Sequence, residues 1–95
     1  MTLDDDALDL ANRRKRLRFR AWHRGIKEAD LMLGRFVDAH VDRFGHAECR
    51  WFERLFEQPD QDVVDWITGQ RPVPDPFDTP LMAAMQKLDY LTDPP

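Results

Sequence analysis

His40, His46 and Cys49 are the side chains of this 95-residue sequence that first invite a chemical reading. His46 and Cys49 stand three residues apart, a spacing that can clip a metal ion on one turn of helix. A closed site needs about four ligands, however, and no second pair lies nearby. His40 falls on an apolar helical stripe, where a histidine is more often a packed residue than a ligand. Cys49 falls within a helix whose burial leaves an inert thiol rather than a nucleophile. No catalytic residue and no metal ligand set is assigned. Binding chemistry is the stronger signal. Residues 13–27 carry Arg13, Arg14, Lys15, Arg16, Arg18, Arg20, Arg24 and Lys27 and no acid. Residues 4–9 carry four aspartates and no base, and from Glu28 onward acids outnumber bases fourteen to six. A surface so polarised suits a charged partner, or one end of the chain neutralising the other.

The elements that position these residues read as helices throughout. Ninety-five residues make one domain, and apolar residues at 42% supply a core. Residues 1–9 read as a flexible acidic leader, residues 10–91 as the helical domain and residues 92–95 as a short tail. From Leu10, two apolar sets recur at helical spacing, Leu10, Leu17 and Ala21, and Phe19, Trp22 and Ile26, with Phe19 and Trp22 assigned to the core. Gly25 is the expected stop, in the left-handed conformation that suits glycine after a last turn. A second helix is expected from Glu28 to Phe44, with Glu28 and Asp30 at the positive end of its dipole and Gly45 as its terminator. A third is expected over Ala47–Glu57, burying Trp51, Phe52, Leu55 and Phe56. Asp60 is expected to N-cap a fourth that runs to Gly69. A proline-punctuated loop over residues 70–77 leads to a fifth, opened by Thr79 and Pro80, with Leu81, Met85 and Leu88 inward and Met82 and Leu91 beside them. The fold class is all-α, a small five-helix bundle.

His23-Arg24-Gly25-Ile26-Lys27-Glu28 joins the basic helix to the amphipathic one. The pattern Arg-Gly-x-x-Glu behind a basic helix resembles the small FAD assembly factors of succinate dehydrogenase. The likeness extends over about Arg13 to Leu91, through Asp30-Leu31 and Phe36, Phe52-x-x-Leu55-Phe56, the set Asp60, Val63 and Trp66, and the proline loop. It implies an accessory protein and not an enzyme. Such a factor binds the flavoprotein subunit of succinate dehydrogenase, or the similar subunit of fumarate reductase, and promotes covalent FAD attachment there. It implies no stably bound cofactor. The contact face it implies is centred on Arg24, Gly25 and Glu28, and the residues around them, Arg20, His23, Lys27 and Asp30, are taken with it. Phe77 of the proline loop, if exposed, is a second contact on the separate ground that an exposed ring marks a docking point.

Ordinary helix punctuation also explains Arg24, Gly25 and Glu28, and that reading stays open here. Arg24 and Glu28 are expected to be surface charges that the core does not need. The alternative function is a small nucleic-acid-binding protein that uses the basic helix. The isoelectric point of about 5.2 argues against it, since such domains usually lie above about 9. Membrane insertion is not expected, because the apolar runs are short. The acidic start and the lone cysteine suit a cytoplasmic protein, and no heptad seam calls for anything but a monomer.

Overall fold

Two apolar rows run along the basic helix, and a helix on the outside of a small bundle can bury only one of them. A computed structural model, which describes residues 2–91 and the side chains of residues 6–91, shows which one is buried. Leu17 and Ala21 are buried and Leu10 packs against them, whereas Phe19 is 63% exposed and Trp22 half-buried. The assignment of Phe19 to the core is therefore corrected. Its row lies on the far side of the helix from Leu17.

The described residues form α1 (Thr2–Trp22), α2 (Lys27–His40), α3 (His46–Leu55), α4 (Asp60–Thr68) and α5 (Pro80–Gln86), with 3-10 turns at Val41–Arg43, Asp75–Phe77 and Asp89–Leu91. No strand occurs among them, so the all-α, five-helix reading is correct. α1 takes in residues 2–9, which the sequence set apart as a leader. The tail, residues 92–95, lies outside the described residues.

α2 is the central element, packed against α1, α4 and the last 3-10 turn. It stops at His40 rather than Phe44, and its stripe continues as the 3-10 turn that buries Val41. Gly45 does not terminate it but precedes α3, donating its N–H to the Glu48 carboxylate at 2.7 Å. The core is a run of rings around fully buried Phe52: Phe44 stacks on it at 5.1 Å, and Phe36 and Phe56 tilt against it at 5.9 and 5.8 Å. Gly69 ends α4 with φ 81°, the one left-handed glycine among the described residues. Thr79 caps α5 through its hydroxyl, as expected, but Met82 and Met85 are the buried residues of α5 and Leu81 and Leu88 only half-buried. Phe77 is also buried, stacked on Trp66 at 5.5 Å, so the ring read as a possible second contact belongs to the core.

Where α1 crosses α2, the Trp22 indole lies flat on Gly34, and a β-carbon there would collide with the ring. Its Nε1–H donates to Asp38 Oδ2 at 3.0 Å. No helix among the described residues is long and apolar enough to cross a membrane.

Candidate functional site

The basic run divides into cations that hold the bundle together and cations that face outward. Arg13 grips Glu53 of α3 with two bonds of 2.7 Å and reaches His46 Nδ1 at 3.0 Å. Arg14 donates twice to the carbonyl of Phe44, at 2.9 and 2.6 Å. Arg18 lies near Asp38 and Asp42 at 3.5 and 3.7 Å. Lys15, Arg16 and Lys27 are exposed and make no ion pair among the described residues, and exposed Arg20 lies over the Phe56 ring at 5.5 Å. The Arg13 bond holds the Glu53 carboxyl below its ordinary value.

His46 is engaged on both ring nitrogens. Nδ1 faces the Arg13 guanidinium, which can only donate, so Nδ1 accepts and Nε2–H donates to Asp6 at 3.2 Å. Cys49 is fully buried, and that burial pushes its thiol above the ordinary value. His40 leans on Phe36 at 4.5 Å. The side chains that first suggested metal or nucleophile chemistry are thus spent on structure.

The segment His23–Ile26 connects α1 to α2, and two carboxylates from other elements hold its backbone. The N–H of Arg24 donates to Asp30 Oδ1 at 2.6 Å, and the next N–H, that of Gly25, donates to Asp60 Oδ2 at 2.9 Å. Asp60 Oδ1 also receives the Arg24 guanidinium, from Nε at 2.9 Å and the terminal nitrogen at 2.8 Å. That guanidinium donates further to the Phe56 carbonyl at 2.7 Å and lies over the Phe56 ring at 4.9 Å. The Arg24 side chain is only 9% exposed. Backbone and side chain of the connection are tied together to α2, α4 and the end of α3.

Four expectations change here. Arg24 is not a free surface charge but an internal tie, because its partner Asp60 lies across the bundle, 36 residues along. Asp60 is not an N-cap. It is the first residue of α4 after Pro59, and its carboxylate turns to the connection instead. Gly25 is not left-handed. It is needed for room, since a β-carbon would stand 2.9 Å from Asp60 Oδ2. Asp30 turns inward as well, to the Arg24 N–H. Of the expected contact residues, Arg20, His23, Gly25, Lys27 and Glu28 remain exposed. His23 stacks on Phe19 at 4.0 Å and bonds the Phe19 carbonyl through Nδ1 at 2.6 Å, so Nδ1 carries the proton and Nε2 is left for a partner. Glu28 borders a shallow depression with Leu31, Met32, Arg35 and Leu91.

The arrangement can hold a protein surface. It presents a backbone without a side chain at Gly25, flanked by one acid and several cations, on a frame with little freedom to move. Sequence reasoning missed Asp60 as the organiser of this frame. The signal was its place in the set Asp60, Val63 and Trp66, which no capping role required.

Residues 15–89 match a protein family described as the flavinator of succinate dehydrogenase. The FAD assembly factor SdhE of Acetobacter pasteurianus is 42% identical over 77 residues, 81% of this chain and 71% of that protein. The mitochondrial succinate dehydrogenase assembly factor 2 of Dictyostelium discoideum is 29% identical over 84 residues, covering 88% of this chain and 60% of its own. That of Schizosaccharomyces pombe is 33% identical over 60 residues, 63% and 43% of the two chains. The chain therefore spans less than two thirds of the length of these mitochondrial relatives.

Proposed function

The chain belongs to the family of succinate dehydrogenase flavinators, and on that premise we propose that it is an assembly factor for a flavoprotein subunit. It binds the flavoprotein subunit of succinate dehydrogenase and promotes covalent attachment of FAD to that subunit. The observation that carries this reading is the clamped connection, in which Asp30 and Asp60 fix two successive N–H groups and leave Gly25, Lys27 and Glu28 on the surface. A contact face that is already ordered loses little freedom on binding, so more of the contact energy appears as affinity.

The protein acts as a binding partner and not as an enzyme. Its own candidate reactive groups are committed elsewhere: Cys49 to the core and His46 to Arg13 and Asp6. Bond formation to the flavin then belongs to the client, whose reacting side chain the factor holds in a near-attack geometry. The factor holds no FAD of its own. The fumarate reductase subunit, similar to that of succinate dehydrogenase, is a second client, and the free factor is a cytoplasmic monomer.

The test incubates apo flavoprotein subunit with FAD, with and without this protein, and reads flavin fluorescence of the denatured subunit in a gel. The expected result is more covalent flavin when the factor is present. Equal yields under both conditions overturn the reading.

A further inference from the structure

Leu8 and Phe19 are the two large apolar side chains left exposed among the described residues, at 62% and 63%. Both belong to α1, and at about 100° per residue they fall, with Lys15 between them, within about 40° of one another. That stripe points away from the buried row of Leu17 and Ala21. Arg16 and Arg20 flank it on one side. Lys15, Arg16, Phe19 and Arg20 together line an open groove of about 390 Å³. Its walls are the Phe19 ring and the apolar stems of the three cations, and the Arg20 guanidinium lies over the Phe56 ring at 5.5 Å. No acid lines it. The groove is continuous with the clamped connection, because Phe19 stacks on His23 and His23 directly precedes Arg24.

Resting on the assembly-factor reading, we infer that this outer stripe of α1 is a second contact surface for the same client. It receives an acidic segment of the flavoprotein subunit that carries an apolar side chain. The apolar side chain enters the groove over Phe19, and the segment's carboxylates meet Lys15, Arg16 and Arg20. Charge selects this occupant, since three exposed cations that make no ion pair among the described residues surround an apolar floor. An anionic bilayer fits less well. Two apolar residues three turns apart are a small anchor, and exposed Asp6 and Asp9 on the same helix would be repelled by it.

The test measures the dissociation constant of the full-length protein for the purified apo flavoprotein subunit by calorimetry. It compares wild type, Phe19→Ser, and the pair Lys15→Glu with Arg16→Glu, each alongside its thermal melt. Phe19→Ser is expected to weaken binding about tenfold and the charge reversal at least as much, since exposed anchors of this kind dominate interfaces. Melting temperatures are expected to stay within about 2 °C of wild type, because all three side chains are exposed. Unchanged affinity in both variants overturns this surface and leaves the assembly-factor reading standing. Absence of wild-type binding overturns that reading and the surface with it. A loss of affinity seen only with a loss of melting temperature counts against the surface. So does a Phe19-dependent affinity for phosphatidylglycerol–phosphatidylethanolamine vesicles, or for total RNA, that exceeds the affinity for the subunit.

Discussion

Replacing Asp60 by alanine tests whether the connection before α2 is held from across the bundle. The substitution removes the acceptor for the Arg24 guanidinium at 2.8 and 2.9 Å and for the Gly25 N–H at 2.9 Å. Arg24 keeps the Phe56 carbonyl but loses its counter-charge while its side chain is only 9% exposed. Breaking a fully buried ion pair costs about 3–5 kcal/mol, and an exposed one about 0–1 kcal/mol. Asp60 is 23% exposed, so water replaces part of what is lost, and a cost of about 2–3 kcal/mol is expected. For a domain of this size that lowers the melting temperature by about 10–20 °C. Far-UV circular dichroism melts and urea titrations measure it. A double-mutant cycle with Arg24→Met isolates the pair, and the double variant should be more stable than the sum of the singles implies by about 1–2 kcal/mol. An Asp60→Ala protein within about 0.5 kcal/mol of wild type would refute the tie, and Arg24 would then be the free surface charge that its sequence context suggests.

Glu28→Ala should leave the melt within about 0.5 kcal/mol of wild type, as the residue is exposed, while covalent flavin in the client falls; unchanged flavin yield removes Glu28 from the contact. Gly25→Arg should lose both stability and client binding, because its β-carbon displaces the Asp60 carboxylate and its side chain covers the bare backbone; normal binding in a calorimetric titration would misplace the interface. Gly34→Ala should cost about 1–3 kcal/mol by forcing the Trp22 ring away, and a native-like melt together with unshifted tryptophan emission would contradict the packing. The Glu53 carboxyl is depressed below 4.5 by Arg13, so its contribution is fully present above that pH and fades as pH falls through the folded value. Glu53→Gln should therefore flatten the acid limb of a stability–pH curve below about pH 4.5, and an unchanged limb would show that the pair does not contribute.

What the sequence revealed and what it hid divide by distance along the chain. Gly69 and Thr79-Pro80 were legible because a cap is settled within a few residues of itself. The helices and their order followed from apolar spacing, which is equally local. Arg24 was misread because its ties lie more than thirty residues away, on Phe56 and Asp60. Gly25 was read as a conformational glycine, whereas its requirement is room for a carboxylate that comes from α4. Phe19 was placed in the core because periodicity reports that a face is apolar, not whether another face of the same helix has already filled the available interior. Phe77 shows the converse. A proline-rich loop reads as exposed, yet the 3-10 turn at Asp75–Phe77 folds the ring onto Trp66.

α1 changes sign along its length, with Asp4, Asp5, Asp6 and Asp9 in its first half and six bases from Arg13 to Arg20 in its second. At about 1.5 Å of rise per residue the mean helix positions of the two sets lie about 15 Å apart along the axis. α1 therefore carries an electrical axis of its own although the net charge of the chain is only −4. In the field of a charged client such an axis acts as a torque before contact. It turns the basic half of α1, and the Gly25 connection at its end, toward negative potential during the approach. Orientation is then settled while the two proteins are still diffusing, and a larger share of encounters begins with the correct face forward.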